Sequence, residues 1–205
     1  MKGLLLKDFY LVRAALVLIL VTYAVIGVGM SIVVDPWITV IIGAVMFGIM
    51  SASTINMDKQ FGWRKLAATL PVKKETAVDS KYLLYLIFSV LGFAVGVAIS
   101  LIICAVKPEL MPADEMVRLY LSIAAAMALF SGGVQIPGNF LLSDEKAMIT
   151  LIVAYPLASP AFSWPSPGSP RTPILTCNIV LVLAVVVFAV SWLVSRKIIA
   201  ARDIQ

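Results

Sequence analysis

The sequence has no histidine, only two cysteines, and little charge. Cys104 and Cys177 both sit inside apolar runs. A disulfide framework and a Cys/His zinc site are therefore excluded, and both cysteines read as small packing residues. Charged residues make up 13% of the chain and apolar ones 61%. Soluble domains carry about 25% and about 45–50%. A soluble domain of 205 residues could not cover its surface with so few charges, so the solvent of this chain is mostly hydrocarbon. A net charge of +5 would direct a soluble domain towards nucleic acid. Here the placement of the charges matters more, and no nucleic-acid partner is expected. No small-x-small cleavage pattern follows the first apolar run, so that run is expected to stay in the bilayer.

What is present is a set of charge-free windows: 14–34, 36–57, 82–106, 119–143, 147–170 and 172–195. A helix rises about 1.5 Å per residue and the hydrocarbon core is about 30 Å thick, so each window can cross it. Barrel strands would alternate apolar and polar residues, whereas Ile179 to Val190 is apolar on every face. The chain is thus predicted to be one all-α integral membrane domain, 1–205, of six transmembrane helices. Thirteen Lys and Arg fall in the two terminal segments and the 2–3 and 4–5 connections, and three fall on the other side. The positive-inside rule then places both termini in the cytoplasm of a multi-pass cell-membrane protein. Trp37 and Trp164 fall near the outer boundary, and Tyr10, Tyr82 and Trp192 near the inner one, as an aromatic belt would.

The fifth window is interrupted. Ala147 to Tyr155 reads as helix and reaches about 14 Å; then come Pro156, Pro160, Pro165, Pro167, Pro170 and Pro173. Each proline removes a donor and disfavours helix before it. Irregular backbone facing lipid is very costly. The expectation is a short or kinked fifth helix followed by an outer or re-entrant hairpin, against a plain proline-kinked span with a long loop.

The connection between spans 2 and 3 carries most of the information. In Asp58 to Pro71, residues Trp63, Leu66, Ala67 and Leu70 share one helical face, with Lys59, Gln60, Arg64 and Lys65 on the others. Pro71 stops the helix. A basic amphipathic helix held between two spans admits two readings. It can lie on anionic headgroups, or it can dock aromatic anchors into a groove of a soluble partner.

The string Gly62-Trp63, Leu70-Pro71, Lys73-Lys74 and Ser80-Lys81-Tyr82 resembles the corresponding loop of ABC-2 type transporter permeases, the membrane subunits of ABC exporters. The opening Met1 to Tyr10 resembles that family's amphipathic N-terminus, taken here as 1–13. The nearest subgroup is the small bacterial permeases of the phenol-soluble-modulin exporter type. The resemblance implies that 58–71 is a cytoplasmic coupling helix seated on a separate ATPase subunit, with Lys59, Gln60, Phe61, Gly62, Trp63, Arg64, Lys65 and Leu66 as the contact. It implies a homodimer giving a two-permease, two-ATPase complex in the bacterial cytoplasmic membrane. The expected activity is export of a hydrophobic or amphipathic substrate, a peptide among the candidates. ATP and Mg would belong to the partner, because this chain offers no phosphate loop. Gly133-Val134-Gln135-Ile136-Pro137-Gly138 has the GxxxxG spacing without the Lys and Ser/Thr that reach phosphate and magnesium.

The windows hold no Asp, Glu, Lys or Arg, which argues against an ion-coupled carrier. Gln135, Asn139 and Asn178 are candidates for a substrate path, against inter-helix hydrogen bonding. Gly92-x-x-x-Gly96 with Ser100 is a small-residue stripe for either a dimer interface or intrachain packing. Asp144, Glu145 and Lys146 form a solvated inner turn or an ATPase contact. Glu109, Asp114 and Glu115 form a soluble outer loop or a cation attractant. A lipid-acting enzyme would need clustered acids, histidines or metal ligands that are missing here. A non-transporting scaffold or immunity protein stays as the alternative.

Overall fold

The computed structural model describes residues 2–33, 35–63, 74–141 and 173–201. Their regular elements are α1 (Lys2–Val33), α2 (Ile38–Gln60), α3 (Lys74–Val106), one 3-10 turn (Pro108–Leu110), α4 (Asp114–Leu141) and α5 (Pro173–Ala201). Helix is what such a composition demands, because a backbone in hydrocarbon must satisfy its own polar groups. α2, α3, α4 and α5 each contain a stretch long and apolar enough to cross a membrane. α1 is bent by 57° between Gly3–Arg13 and Ala15–Gly27 and makes a fifth span if its limbs count as one. The described residues therefore supply four or five of the six expected spans. The window 147–170 and the proline-rich stretch up to 172 lie outside them. Pro173 opens α5, where its missing N–H would be unpaired in any case.

The helices run past the charge-free windows. α3 starts at Lys74 and not at 82, α4 starts at Asp114 and not at 119, and α5 continues to Ala201. Within the segment 1–13, Gly3–Arg13 is the first limb of α1 and runs on into its second limb. Charges ended the windows but do not end the helices, because several of these charges are paired inside the protein.

Direction follows from contacts. Asp79 near the start of α3 meets Trp192 near the end of α5, and Asn139 near the end of α4 meets Ala52 late in α2. Thus α1 and α3 run one way, and α2, α4 and α5 the other. α4 and α5, although consecutive among the described helices, are parallel.

α2 is the interior element. Thr39, Val40, Phe47 and Thr54 are fully buried, and α4 packs on it, Ala124 with Val40 and Ile136 with Ile55. α1, α3 and α5 present apolar rows outward, with Val25 69%, Val90 65% and Val182 60% exposed. That is the inside-out distribution a hydrocarbon solvent permits.

The close approach of α2 and α3 depends on glycine. A Cβ on Gly96 would lie 2.7 Å from the Val40 Cα, and one on Gly43 would lie 2.7 Å from the Gly92 carbonyl oxygen. Ser100 continues the stripe, 2.9 Å from Thr39 Oγ1 and 2.8 Å from the Pro36 carbonyl oxygen. The stripe Gly92, Gly96, Ser100 therefore serves intrachain packing, and the dimer reading of it falls. The aromatic-belt reading also fails for Trp37 and Tyr82, each 3% exposed and packed in the core.

Gly96→Val is expected to destabilise the bundle by about 3 kcal/mol, because backbone cannot move aside as a side chain can. Gly29→Ala, with nothing within 4 Å of the added carbon, is the matched control and should leave the thermal midpoint in detergent unchanged or slightly raised.

Candidate functional site

One end of the bundle gathers the start of α1, the end of α2, the start of α3 and the end of α5. Four charges meet there. Lys81 Nζ lies 2.8 Å from Asp8 Oδ2 and 2.6 Å from Asp58 Oδ2. Lys7 Nζ lies 2.5 Å from Asp58 Oδ1 and 3.0 Å from Asp8 Oδ1. Lys81 also donates to Thr54 Oγ1 at 3.1 Å, so all three of its donors have partners. Thr54 passes its own proton to the Ser51 carbonyl oxygen. The Asp8 Oδ1 contact with Lys7 has ion-pair distance but no hydrogen-bond geometry.

The cluster is neutral, two acids against two ammonium groups, and it is deep. The Asp8 side chain is 1% exposed, Lys81 8% and Asp58 11%. Burial on this scale is tolerable only when every charge is paired, since an isolated ion costs several kcal/mol to desolvate. Helical register explains how the residues arrive. Asp8 shares a face with Leu4, Leu5 and Val12, and Lys81 shares one with Val78, Leu84 and Tyr85. That signal was in the sequence, because both are charges on otherwise apolar helix faces. The window criterion used them only as boundaries and missed them.

α2 stops beside this cluster. Phe61 N–H donates to the Met57 carbonyl at 3.0 Å and Gly62 N–H to the Lys59 carbonyl at 3.2 Å. Gly62 has φ +66° in open space, so the left-handed backbone alone selects glycine there. Lys59 and Gln60 therefore belong to the last turn of α2. Phe61 is 72% exposed, Gly62 is exposed and Trp63 half-buried. The Trp63 ring centroid lies 4.1 Å from Lys7 Nζ. Arg64, Lys65, Leu66 and the rest of the expected helix to Pro71 lie outside the described residues.

A second set joins α3 to α5. Arg196 pairs with Glu75 at 2.9 Å and lies 3.4 Å from Asp79, while Trp192 Nε1 donates to Asp79 at 2.8 Å. Deeper in, Pro137 interrupts α4 and cannot donate to the carbonyl four residues back, at Gly133. Ser191 supplies the missing donor from α5, at 2.6 Å. With that proton committed, Ser191 must accept from Tyr82 at 2.8 Å, and Tyr82 must accept from Ser195 at 3.0 Å. A directed chain of hydroxyls thus ties α3, α4 and α5 together.

The three residues put forward for a substrate path do not meet within one chain. Gln135 is 1% exposed and donates to Ser131 Oγ at 2.6 Å, and Asn139 is 7% exposed and donates to the Ala52 carbonyl at 3.2 Å. Asn178 is exposed, near the opposite end of α5. The GxxxxG string lies within α4, with Gly133 and Ile136 buried. Asp144, Glu145 and Lys146 lie outside the described residues.

A bundle of membrane-length helices, apolar outward and with the ion pairs of its described residues gathered at one end, defines a multi-pass membrane protein. Residues 3–200 match the family described as ABC-2 family transporter protein, and the chain belongs to that family of membrane transport components. No curated protein and no solved structure matches it significantly.

Two stability predictions separate the polar networks. Lys81→Met leaves two buried carboxylates to one ammonium and should cost about 3–5 kcal/mol, whereas Arg196→Gln, at a half-exposed pair, should cost under about 1 kcal/mol. Ser191→Ala orphans the Gly133 carbonyl and should cost about 1–3 kcal/mol. Thermal unfolding in one detergent reads all three, and equal losses for Lys81→Met and Arg196→Gln would contradict the assignment.

Proposed function

We propose that the chain is the permease subunit of an ABC exporter, moving a hydrophobic or amphipathic substrate outward by alternating access. A peptide is the favoured substrate, following the likeness to the phenol-soluble-modulin exporter type. A separate ATPase subunit binds ATP and Mg and drives the cycle. Two permease copies and two ATPase subunits form the complex, in a bacterial cytoplasmic membrane.

The observation that carries this reading is the turn at Phe61-Gly62-Trp63. It presents an aromatic side chain, Phe61, 72% exposed, at the C-terminal end of α2. Helix-in-groove partners take up such anchors. The turn sits at the end where most Lys and Arg cluster, which the positive-inside rule assigns to the cytoplasm, the side of ATP. Lys59 through Leu66 form the docking segment in this reading.

Two further points support it. α4 and α5 run parallel, so the chain leaves α4 at the charged end and enters α5 at the other, which favours a sixth crossing within 142–172. The interior of a single bundle is filled by α2 and α4, with Phe47 and Ile55 buried. A substrate path then lies between two copies, and Gln135, Asn139 and Asn178 become contributors to it on rearrangement.

The test is isolation of tagged protein from its native membrane in mild detergent, with bound chains identified and ATP hydrolysis assayed. A stoichiometric ATPase subunit is expected. Phe61→Ala and Trp63→Ala should each lower its recovery about tenfold, as buried aromatic anchors do, with the spans still folded. A partner-free protein, in a detergent that preserves known permease complexes, would transfer the assignment to the scaffold or immunity reading.

A further inference from the structure

We propose that the cluster of Lys7, Asp8, Asp58 and Lys81 is the joint that holds the partner-docking turn to the spans, with Lys7 as its positioning residue. The proposal rests on the permease reading and deepens it.

The covalent link between α2 and the turn is a weak mechanical element. Gly62, at φ +66° with open space around it, cannot fix the direction of Trp63. What fixes it is Lys7, a residue of α1, 4.1 Å from the indole centroid. The same ammonium is held by Asp58 of α2 and Asp8 of α1, at 2.5 and 3.0 Å. Lys81 then binds both carboxylates into α3. A displacement of Trp63 is therefore felt by three helices through one lysine.

The joint is built to yield at one place. Asp8 and Lys81 are nearly inaccessible to water, so salt screens their attraction little. Lys7 is the most accessible of the four, its side chain 26% exposed. Force on the already docked indole that breaks this contact leaves Lys7 on its two carboxylates, and the cluster stays neutral. The cation–π contact is thus the weak link and the ionic core the strong one. The limb that carries Lys7 and Asp8 is the bent part of α1, so tension at Trp63 acts on the helix with the sharpest break among the described residues.

Holding Trp63 in place before the partner arrives lowers the ordering cost of docking. Loss of that orientation should weaken binding about tenfold, the scale of a partly desolvated cation–π contact. The full-length permease in nanodiscs is titrated with its purified ATPase subunit. Lys7→Arg keeps the charge and a face that stacks on indole, in a larger planar group, and should bind more tightly than Lys7→Gln. Lys7→Gln should bind about tenfold more weakly than the natural chain, and adding Trp63→Ala should cause less further loss than Trp63→Ala alone. Unchanged affinity for Lys7→Gln, or fully additive losses, would overturn the proposal. If Lys7→Gln does not fold, the charge-balanced Lys7→Gln/Asp58→Asn replaces it with the same expectations. A thermal-stability cycle of Lys7→Gln and Trp63→Leu in the isolated permease is expected to be non-additive, and additivity there would overturn the contact. That cycle needs no ATPase, so failure of the permease reading and failure of the joint are told apart.

Discussion

A carboxylate removed from water must find a cation, and Asp8 is almost completely removed. That constraint organises one end of the molecule. Lys81 is placed on α3 to meet it, Asp58 on α2 balances the second ammonium, and Lys7 closes the set. Removing any one leaves a net charge in a medium where charge is costly. Three helices are thereby fixed at a common depth and rotation. An apolar surface could not do this, because Leu, Ile and Val slide past one another at little cost in lipid. The ionic cluster contributes registry more than stability, which is the best-attested use of buried ion pairs.

The same logic recurs with neutral groups. Pro137 in α4 frees the Gly133 carbonyl, and the hydroxyl of Ser191 answers it. Tyr82 and Ser195 then orient Ser191, so a backbone defect in one helix fixes the rotation of two others. At the far end, Asp35 accepts from the Trp37 N–H at 2.9 Å and from the Tyr120 hydroxyl at 3.0 Å. Tyr23 donates to the Thr39 carbonyl. One end is thus held by ionic pairs among α1, α2 and α3. The other is held largely by hydrogen bonds around the α1–α2 turn.

Much of the transmembrane framework was legible from the sequence. Charge-free length located the helices, because hydrocarbon thickness sets their minimum span. The boundaries were displaced wherever a charge is internally paired, as at Asp8, Asp58, Asp79 and Lys81. A window rule treats every charge as solvated, and these are not. The stretch from Pro156 to Pro170 lies outside the described residues. The belt reading failed for Trp37 and Tyr82 because an aromatic ring suits a core as well as an interface. The glycine stripe was found, but its partner was not, since Gly43 in α2 carries no signal until α2 and α3 are seen together. The Gly62-Trp63 pair pointed to the family, but the helix expected from Asp58 was displaced, since α2 runs to Gln60 and the turn at Phe61-Gly62 closes it. The tie of Trp63 to Lys7 was not legible, because an ammonium and an indole far apart in sequence carry no joint pattern.

These features constrain how such a bundle can move. α2 meets α3 backbone to backbone at Gly43 and Gly92, and α4 receives the Tyr85 ring against Gly132. Contacts of that closeness cannot slide without collision, so α2, α3 and α4 behave as one body. α5 is bound to that body through Ser191, Tyr82 and Trp192. α1 differs, because its second limb is exposed along Val17, Leu18, Val21 and Val25. It joins the body through Val12 and Tyr23, packed with Phe47, Met50, Leu84 and Phe88, and through the ionic cluster. On the permease reading, force from a partner at Trp63 enters at Lys7. It reaches the first limb of α1, which the cluster ties to α2 and α3, and through it a block of helices that cannot deform. The motion available is then rigid displacement of the block, with the first limb of α1, relative to a second copy. The fold places its strongest polar bonds where that displacement would begin.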